Sequence, residues 1–202
     1  MPLLNTATRY GAVSQAFHWV TAVLVVATYL LGAGGPESRV YSASRASELG
    51  WHETLGILVF AVVLARVLWR LIDRRPEAPP MAAWMEWSSR AVHWALYALL
   101  LAIPATAIVG AYLEGHPVTF LGIGALGPIG PLSHPLGQTI SDLHGSLGSF
   151  IVWIAGAHAA AALFHHFIMR DNVLVAMLPG IRDQSSDIRT VPLVIGRHTT
   201  DH

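Results

Sequence analysis

The sequence LHGSLGSFIVWIAGAHAAAALFHHFIM, residues 143–169, is apolar and long enough to cross a bilayer as one helix, which takes about 20 residues. His144 and His158 lie within it, fourteen residues apart. Fourteen residues make nearly four helical turns, so the two imidazoles share one face at a separation of about 21 Å. One helix therefore presents a histidine near each surface of the membrane.

Small side chains surround these two histidines. Gly148 and Ala155 lie between them on the same face, and His158 stands within the run GAHAAAA at residues 156–162. Such residues allow helices to pack closely, and they also leave room for a large flat ligand beside each imidazole. We favour the ligand interpretation because the small residues coincide with two histidines on one face.

Three other stretches have the length and apolarity of membrane spans. Together with the first, they predict transmembrane helices near residues 13–34, 51–72, 88–113 and 143–169. The connection 115–138 is rich in Gly and Pro, which break helices, so we predict an ordered or re-entrant loop there and no fifth span. The predicted fold is all-α, an integral membrane four-helix bundle over residues 1–179, followed by a polar C-terminal tail over residues 180–202.

The composition supports a small membrane protein. Of the 202 residues, 53% are hydrophobic and 12% are charged, against about 25% charged in soluble domains. Twelve basic residues balance twelve acidic ones, so the chain has no overall excess of positive charge with which to bind nucleic acid. The chain has no cysteine, so disulfides, iron–sulfur clusters and thiolate zinc sites are excluded.

Arginine placement predicts the orientation, because cytoplasmic connections carry an excess of Lys and Arg. The arginines on one side of the predicted spans are Arg9, Arg70, Arg74, Arg75, Arg90 and Arg170. The opposite side has Arg39 and Arg45, which Glu37 and Glu48 balance, and residues 115–138 contain no arginine. Both termini are therefore expected to be cytoplasmic. A cleaved signal peptide is the competing interpretation of the first span, but no A-x-A site follows it.

Histidines within the spans indicate a cofactor site, because ionisable side chains are costly inside a bilayer. The histidines within or at the ends of the predicted spans are His18, His52, His93, His144, His158, His165 and His166. By depth, His52 and His144 lie near one surface, and His18, His93 and His158 lie near the other. Two imidazoles from separate helices suit a six-coordinate b-type haem, whereas zinc takes three or four converging ligands. Histidines that only hydrogen-bond between helices are the alternative interpretation.

A weak internal repeat relates the first two spans to the last two. HETLG at residues 52–56 matches HGSLG at 144–148, and AFHW at 16–19 resembles AVHW at 91–94. In this alignment Arg66 takes the place of His158. A guanidinium at that depth is costly unless it is paired, and a haem propionate would pair with it bidentately. Snorkelling to the lipid headgroups is the alternative.

Four segments resemble the bacterial cytochrome b561 family of four-helix dihaem membrane cytochromes. They are AFHWVTAVLVVATYLLG (16–32), WHETLGILVFAVVLARVLWRL (51–71), RAVHWALYALLLAIPATAIVG (90–110) and, most specifically, GAHAAAALFHHFIMRDNVLVAMLPG (156–180). The resemblance covers about residues 14–179, and it is poor over 115–138 and beyond Pro179. It implies two haem b groups, an outer one held by His52 and His144 and an inner one held by His18 and His158. The residues alone leave His18 and His93 both open as the partner of His158; the family pattern selects His18.

The resemblance also implies an activity and a location. Family members transfer electrons between a periplasmic reactant and the ubiquinone pool of the bacterial inner (cytoplasmic) membrane, and some resemble superoxide oxidases. Bis-histidine ligation leaves no open iron position, so such haems carry electrons and do not bind oxygen. An anionic reactant such as superoxide would be drawn to positive charge, for which Arg39 and Arg45 are the candidates on the outer side.

Two other functions are compatible with the residues. The chain resembles haem-b membrane-anchor subunits that take electrons from a soluble redox protein, a dehydrogenase or hydrogenase partner. A haem-free transporter or proton relay lined by His is a different class, and the scarcity of acidic residues within the spans, apart from Glu53 and Asp142, disfavours it. His165 and His166, beside Arg170, are either part of a quinone or propionate site or interfacial anchors.

Overall fold

Four long α-helices make up the protein in a computed structural model that describes residues 2–32, 46–74, 76–77, 81–120, 124–128, 130 and 132–180. They are α1 (Ala12–Gly32), α2 (Ala46–Ile72), α3 (Ala83–Glu114) and α4 (His134–Phe164). Each is long and apolar enough to cross a membrane. The prediction of an all-α membrane bundle with four spans is confirmed.

The helices pack as two pairs. α1 lies mainly against α2, and α3 against α4, while α2 and α3 join the pairs. The buried centre is small and apolar, and its residues are Val59, Val63, Leu99, Leu100 and Ile151. Large apolar side chains point outward, among them Leu71 at 80% exposure and Trp153 at 78%. A soluble protein would bury such residues, whereas in this bundle they face the lipid.

The two ends of the bundle differ. At one end, which we call the hairpin end, a two-stranded antiparallel hairpin of β1 (Val118–Phe120) and β2 (Gly124–Leu126) follows α3. At the other, the terminal end, the residues before α1 meet those after α4. Arg9 Nη2 donates to Leu178 O at 3.1 Å, and Trp19 Nε1 donates to Met177 O at 2.8 Å. The residues that flank the first and last helices therefore lie at the same end.

The predicted boundary of the long connection was wrong. α4 begins at His134, so the last five residues of the predicted loop 115–138 are helical, and the helix starts nine residues before the predicted position 143. Pro135 lies in the first turn of α4, where its missing N–H would have no helical partner anyway. The rule that Pro breaks helices therefore does not apply to Pro135. α2 and α3 also begin a few residues earlier than predicted.

Several predictions fall on residues outside the described ranges. These are the connection that holds Arg39 and Arg45, the position of Arg75, and the tail after Gly180.

α3 and α4 touch through their backbones at the hairpin end. A methyl group on Gly137 would lie 2.9 Å from the Glu114 nitrogen and 3.2 Å from the Gly110 oxygen. Beside this contact Ser141 Oγ donates to Glu114 Oε1 at 2.7 Å. The approach sets the distance between the two helices two turns before His144, and it requires the absence of a side chain at Gly137.

We predict that Gly137→Ala lowers the midpoint of thermal unfolding in detergent. The added methyl group meets backbone atoms that cannot rotate away, and overpacking of this kind costs about 1–3 kcal/mol. Gly156→Ala on the same helix is the matched control, because a methyl group there meets no atom within 4 Å. Equal midpoints for the two variants would contradict the close approach.

Candidate functional site

His52 on α2 and His144 on α4 face each other at the hairpin end. Their ring centres are 6.0 Å apart and their planes are at 89°. His52 Nδ1 lies 2.9 Å from the carbonyl oxygen of Thr28, and His144 Nδ1 lies 2.8 Å from that of Ile103. A carbonyl only accepts, so each Nδ1 carries a proton, and in the neutral imidazole Nε2 then carries the lone pair. This is the tautomer in which an imidazole ligates a metal through Nε2.

Both histidines line a cavity of about 920 Å³, which is near the upper end of the range of about 300–1,000 Å³ for ligand pockets. Gly56 and Gly148 line it, each one helical turn after its histidine. A methyl group on either glycine would meet no atom within 4 Å. The space beside each imidazole is therefore open on the face that the histidine occupies, as a large flat ligand requires.

Gly32, the last residue of α1, is a site residue that the sequence analysis did not identify. A methyl group there would lie 2.5 Å from Cε1 and 2.7 Å from Nδ1 of His52. The His52 ring therefore rests against the backbone of α1, one turn from the Thr28 carbonyl. A glycine at the end of an apolar segment carries no signal of this contact in the sequence.

Three histidines come together at the terminal end. The ring centres of His18 on α1 and His158 on α4 are 6.3 Å apart, and those of His93 on α3 and His158 are 5.2 Å apart. Two metal–imidazole bonds of about 2 Å, together with the distance from each nitrogen to its ring centre, give roughly 6 Å. The His18–His158 separation therefore matches that of the hairpin-end pair, and the His93–His158 separation is shorter.

Arg66 and Arg70 form a cationic cluster beside this second pair. Arg66 Nη2 lies 3.3 Å from His18 Nδ1. The ring of Tyr97 is 5.5 Å from the Arg66 guanidinium and 5.1 Å from that of Arg70, which also donates to the Tyr97 hydroxyl at 2.9 Å. No carboxylate among the described residues forms an ion pair with either guanidinium. The cluster suits the acidic groups of a ligand.

His165 and His166 occupy a separate place. They begin a single π-helical turn, His165–Met169, that continues α4. His165 Nδ1 lies 2.5 Å from Asp171 Oδ2, and the His166 ring contacts Phe167. No hydrogen bond or ring contact in the described structure joins either residue to His18, His93 or His158.

The described histidines do not form a cluster of the kind that holds a bare metal ion. Within the described part of the chain, no three His, Asp or Glu side chains converge on a point that could bind one. A planar cofactor that needs two axial nitrogens fits the geometry. Both pairs, the tautomers at the hairpin end and the open space beside His52 and His144 agree with haem b.

Comparison with known proteins decides the family. The model of the prokaryotic cytochrome b561 family matches residues 9–180. The chain belongs to this family. It is 32% identical over 185 residues to Cytochrome b561 homolog 2 of Escherichia coli (strain K12), which covers 88% of this chain and 95% of that protein.

Two further relatives match over similar lengths. Cytochrome b561 homolog 1 of the same organism is 30% identical over 176 residues, 85% of this chain and 97% of that one. Probable superoxide oxidase CybB of Yersinia pestis is 25% identical over 178 residues, 85% and 96% of the two chains. The protein is thus a multi-pass bacterial membrane b-type cytochrome that takes part in electron transfer, and the family resemblance is confirmed.

We predict that Gly32→Ala lowers the amount of haem bound per chain. The methyl group would occupy the place of the His52 ring, so the imidazole must turn away and lose its hydrogen bond to Thr28. The check is a haem quantification of the purified protein. Gly50→Ala is the control, because its methyl group would make only an ordinary contact, 3.8 Å from Thr119 Oγ1. Full haem content in Gly32→Ala would show that the ring does not need this space.

Proposed function

We propose that this cytochrome holds two haem b groups and carries electrons across the membrane between a periplasmic reactant and ubiquinone. The outer haem is held by His52 and His144, and the inner haem by His18 and His158. The observation that carries the proposal is that one bundle holds two pairs of facing imidazoles, one pair at each end. The ring centres are 6.0 Å apart in the His52–His144 pair and 6.3 Å apart in the His18–His158 pair.

The residues have distinct roles in this arrangement. Haem b, when bound, supplies one-electron redox chemistry. Thr28 and Ile103 hold the outer imidazoles in the ligating tautomer through their carbonyls. Arg66, unpaired by any described carboxylate, is placed to bind a propionate of the inner haem. Two histidines would hold the haem iron at each site and leave it no position for oxygen, so the bound groups would serve electron transfer alone.

The orientation of the protein in the membrane is inferred from the distribution of arginines, and the reactant is inferred from the name of one relative. The arginines flanking the terminal end favour the cytoplasmic side for it, which puts the hairpin end in the periplasm and the protein in the inner membrane. Superoxide is the candidate reactant because of the relative named as a probable superoxide oxidase. Ubiquinone is the membrane-soluble partner that such a reaction needs as acceptor.

The first experiment is a dithionite-reduced minus oxidised spectrum of the purified protein, with haem quantified per chain. We expect two b-type haems in the parent and one in His52→Ala, His144→Ala, His18→Ala or His158→Ala. His93→Ala and His134→Ala are the controls, because neither removes a proposed axial ligand. A colourless parent would overturn the haem proposal, and loss of a haem from His93→Ala alone would replace His18 by His93.

The second experiment measures the reaction in proteoliposomes that contain ubiquinone. We expect superoxide added outside to reduce the quinone in the parent, and His52→Ala to abolish that reduction because the outer site is its entry point. Quinone reduction that appears only after a soluble dehydrogenase or hydrogenase is added would instead support the membrane-anchor function.

A further inference from the structure

We infer that the segment after α4 is a positioning element for the inner haem, because it fixes α1 relative to α4 at the terminal end. The inference rests on the two-haem arrangement proposed above, in which His18 and His158 hold that haem. These ligands come from helices that pack on different partners, α1 on α2 and α4 on α3, and the described parts of α1 and α4 have little direct backbone contact. Direct packing of α1 on α4 therefore does not set the separation of 6.3 Å between the two rings.

Three side chains in α1 or just before it donate hydrogen bonds to the segment after α4. The acceptors are three consecutive main-chain carbonyls, at residues 176–178, so the segment is bound along its length and not at a single point. The three hydrogen bonds, which we call the terminal clasp, join Arg9 to Leu178 at 3.1 Å, Gln15 to Ala176 at 3.1 Å and Trp19 to Met177 at 2.8 Å.

Gln15 is the most enclosed donor of the terminal clasp, with 2% of its surface exposed. Its Nε2 donates to Tyr10 O at 3.2 Å as well as to Ala176 O, so one amide joins the chain before α1 to the chain after α4. Its Oε1 has no hydrogen-bond partner among the described residues. Both contacts of this amide are therefore donations, and breaking them would leave buried carbonyls without a partner, which is costly.

The terminal clasp also fixes the rotation of α1 about its axis. Gln15 and Trp19 are four residues apart, so their side chains leave α1 on the same face, and His18 lies between them in the chain. Two hydrogen bonds one turn apart keep the helix from rotating or sliding past the segment that accepts them. Because the direction of the His18 ring follows the rotation of α1, these contacts keep the ring facing His158.

The segment after α4 is in turn held on the end of that helix. Arg170 adopts the left-handed conformation, with φ of 55°, where the chain leaves the π-helical turn. Asp171 then binds on both sides, because its Oδ2 lies 2.5 Å from His165 Nδ1 and its Oδ1 accepts from Val173 N at 3.1 Å. The carbonyls of residues 176–178 therefore follow the position of α4, and the terminal clasp passes that position on to α1.

The hairpin end does not depend on this device. There the imidazoles of His52 and His144 are held directly, by the carbonyls of Thr28 and Ile103. Weakening the terminal clasp should therefore loosen the inner haem and leave the outer haem as it is.

Haem release from the purified full-length protein tests this inference. Gln15→Met removes both amide donors and keeps the length of the side chain, and Trp19→Phe removes the indole N–H and keeps an aromatic ring. Contacts that support a metal ligand are worth roughly 10–100-fold in affinity, so we expect each variant to lose one of its two haems to excess apomyoglobin about tenfold faster than the parent. His52→Ala and His158→Ala backgrounds, each with one haem left, assign the faster release to the inner site.

Gln138→Met and Trp153→Phe are the matched controls. They make the same changes at exposed positions of α4, and we expect both haems to leave at the parental rate. The EPR signal of the low-spin ferric inner haem, measured in the His52→Ala background, reports the angle between the two axial imidazole planes and is insensitive to overall stability. We expect it to shift in Gln15→Met and Trp19→Phe and to stay in place in the controls.

The outcomes separate the inference from the proposed function. Parental release rates and an unchanged EPR signal in both Gln15→Met and Trp19→Phe overturn the inference and leave the two-haem proposal standing. Equal acceleration of both haems indicates a general loss of stability and also overturns the inference. A parent with one haem, or an inner haem that is kept in His18→Ala and lost in His93→Ala, overturns the proposed arrangement itself.

Discussion

The hydrogen bond between an imidazole of one helix and a main-chain carbonyl of the next is the constraint on which the hairpin end depends. His52 needs the Thr28 oxygen and His144 needs the Ile103 oxygen, so α1 must lie against α2, and α3 against α4, in one register. Gly32 lets the His52 ring reach the backbone of α1, and Gly137 lets α4 reach α3. The packing of the helices in pairs and the orientation of the His52 and His144 rings therefore depend on the same contacts.

The internal repeat places different chemistry in equivalent positions. The second helix of each pair has a histidine near the hairpin end, followed one turn later by glycine. Fourteen residues on, one half has His158 and the other has Arg66. In the folded bundle these two residues meet at His18, one with its ring centre 6.3 Å away and the other with a guanidinium 3.3 Å from Nδ1. The two repeated halves therefore produce different surroundings for the two histidine pairs.

The connection before α4 is shorter than its composition predicts, and the reason is physical. Gly and Pro are dense from residue 115 to residue 138, and this density predicts a loop over the whole stretch. Proline breaks a helix where a backbone N–H is needed for a helical hydrogen bond, and Pro135 lies in the first turn, where a backbone N–H has no helical partner. Local composition also carried no sign that Glu53 of α2 would bind Thr119 of the hairpin. That contact joins segments 66 residues apart in the chain.

The sequence by itself determined the four spans and the depth of each histidine, because apolar length sets a span and the rise per residue sets depth along its axis. Depth placed His52 with His144, and His158 with both His18 and His93. Only the tertiary structure gives the two ring separations from His158, 6.3 Å to His18 and 5.2 Å to His93. It also decided which carbonyls meet Nδ1 and why Gly32 must be glycine. These distances and contacts depend on the rotation of each helix about its axis and on how it packs against its neighbour. The spacing of residues along a single helix does not determine either.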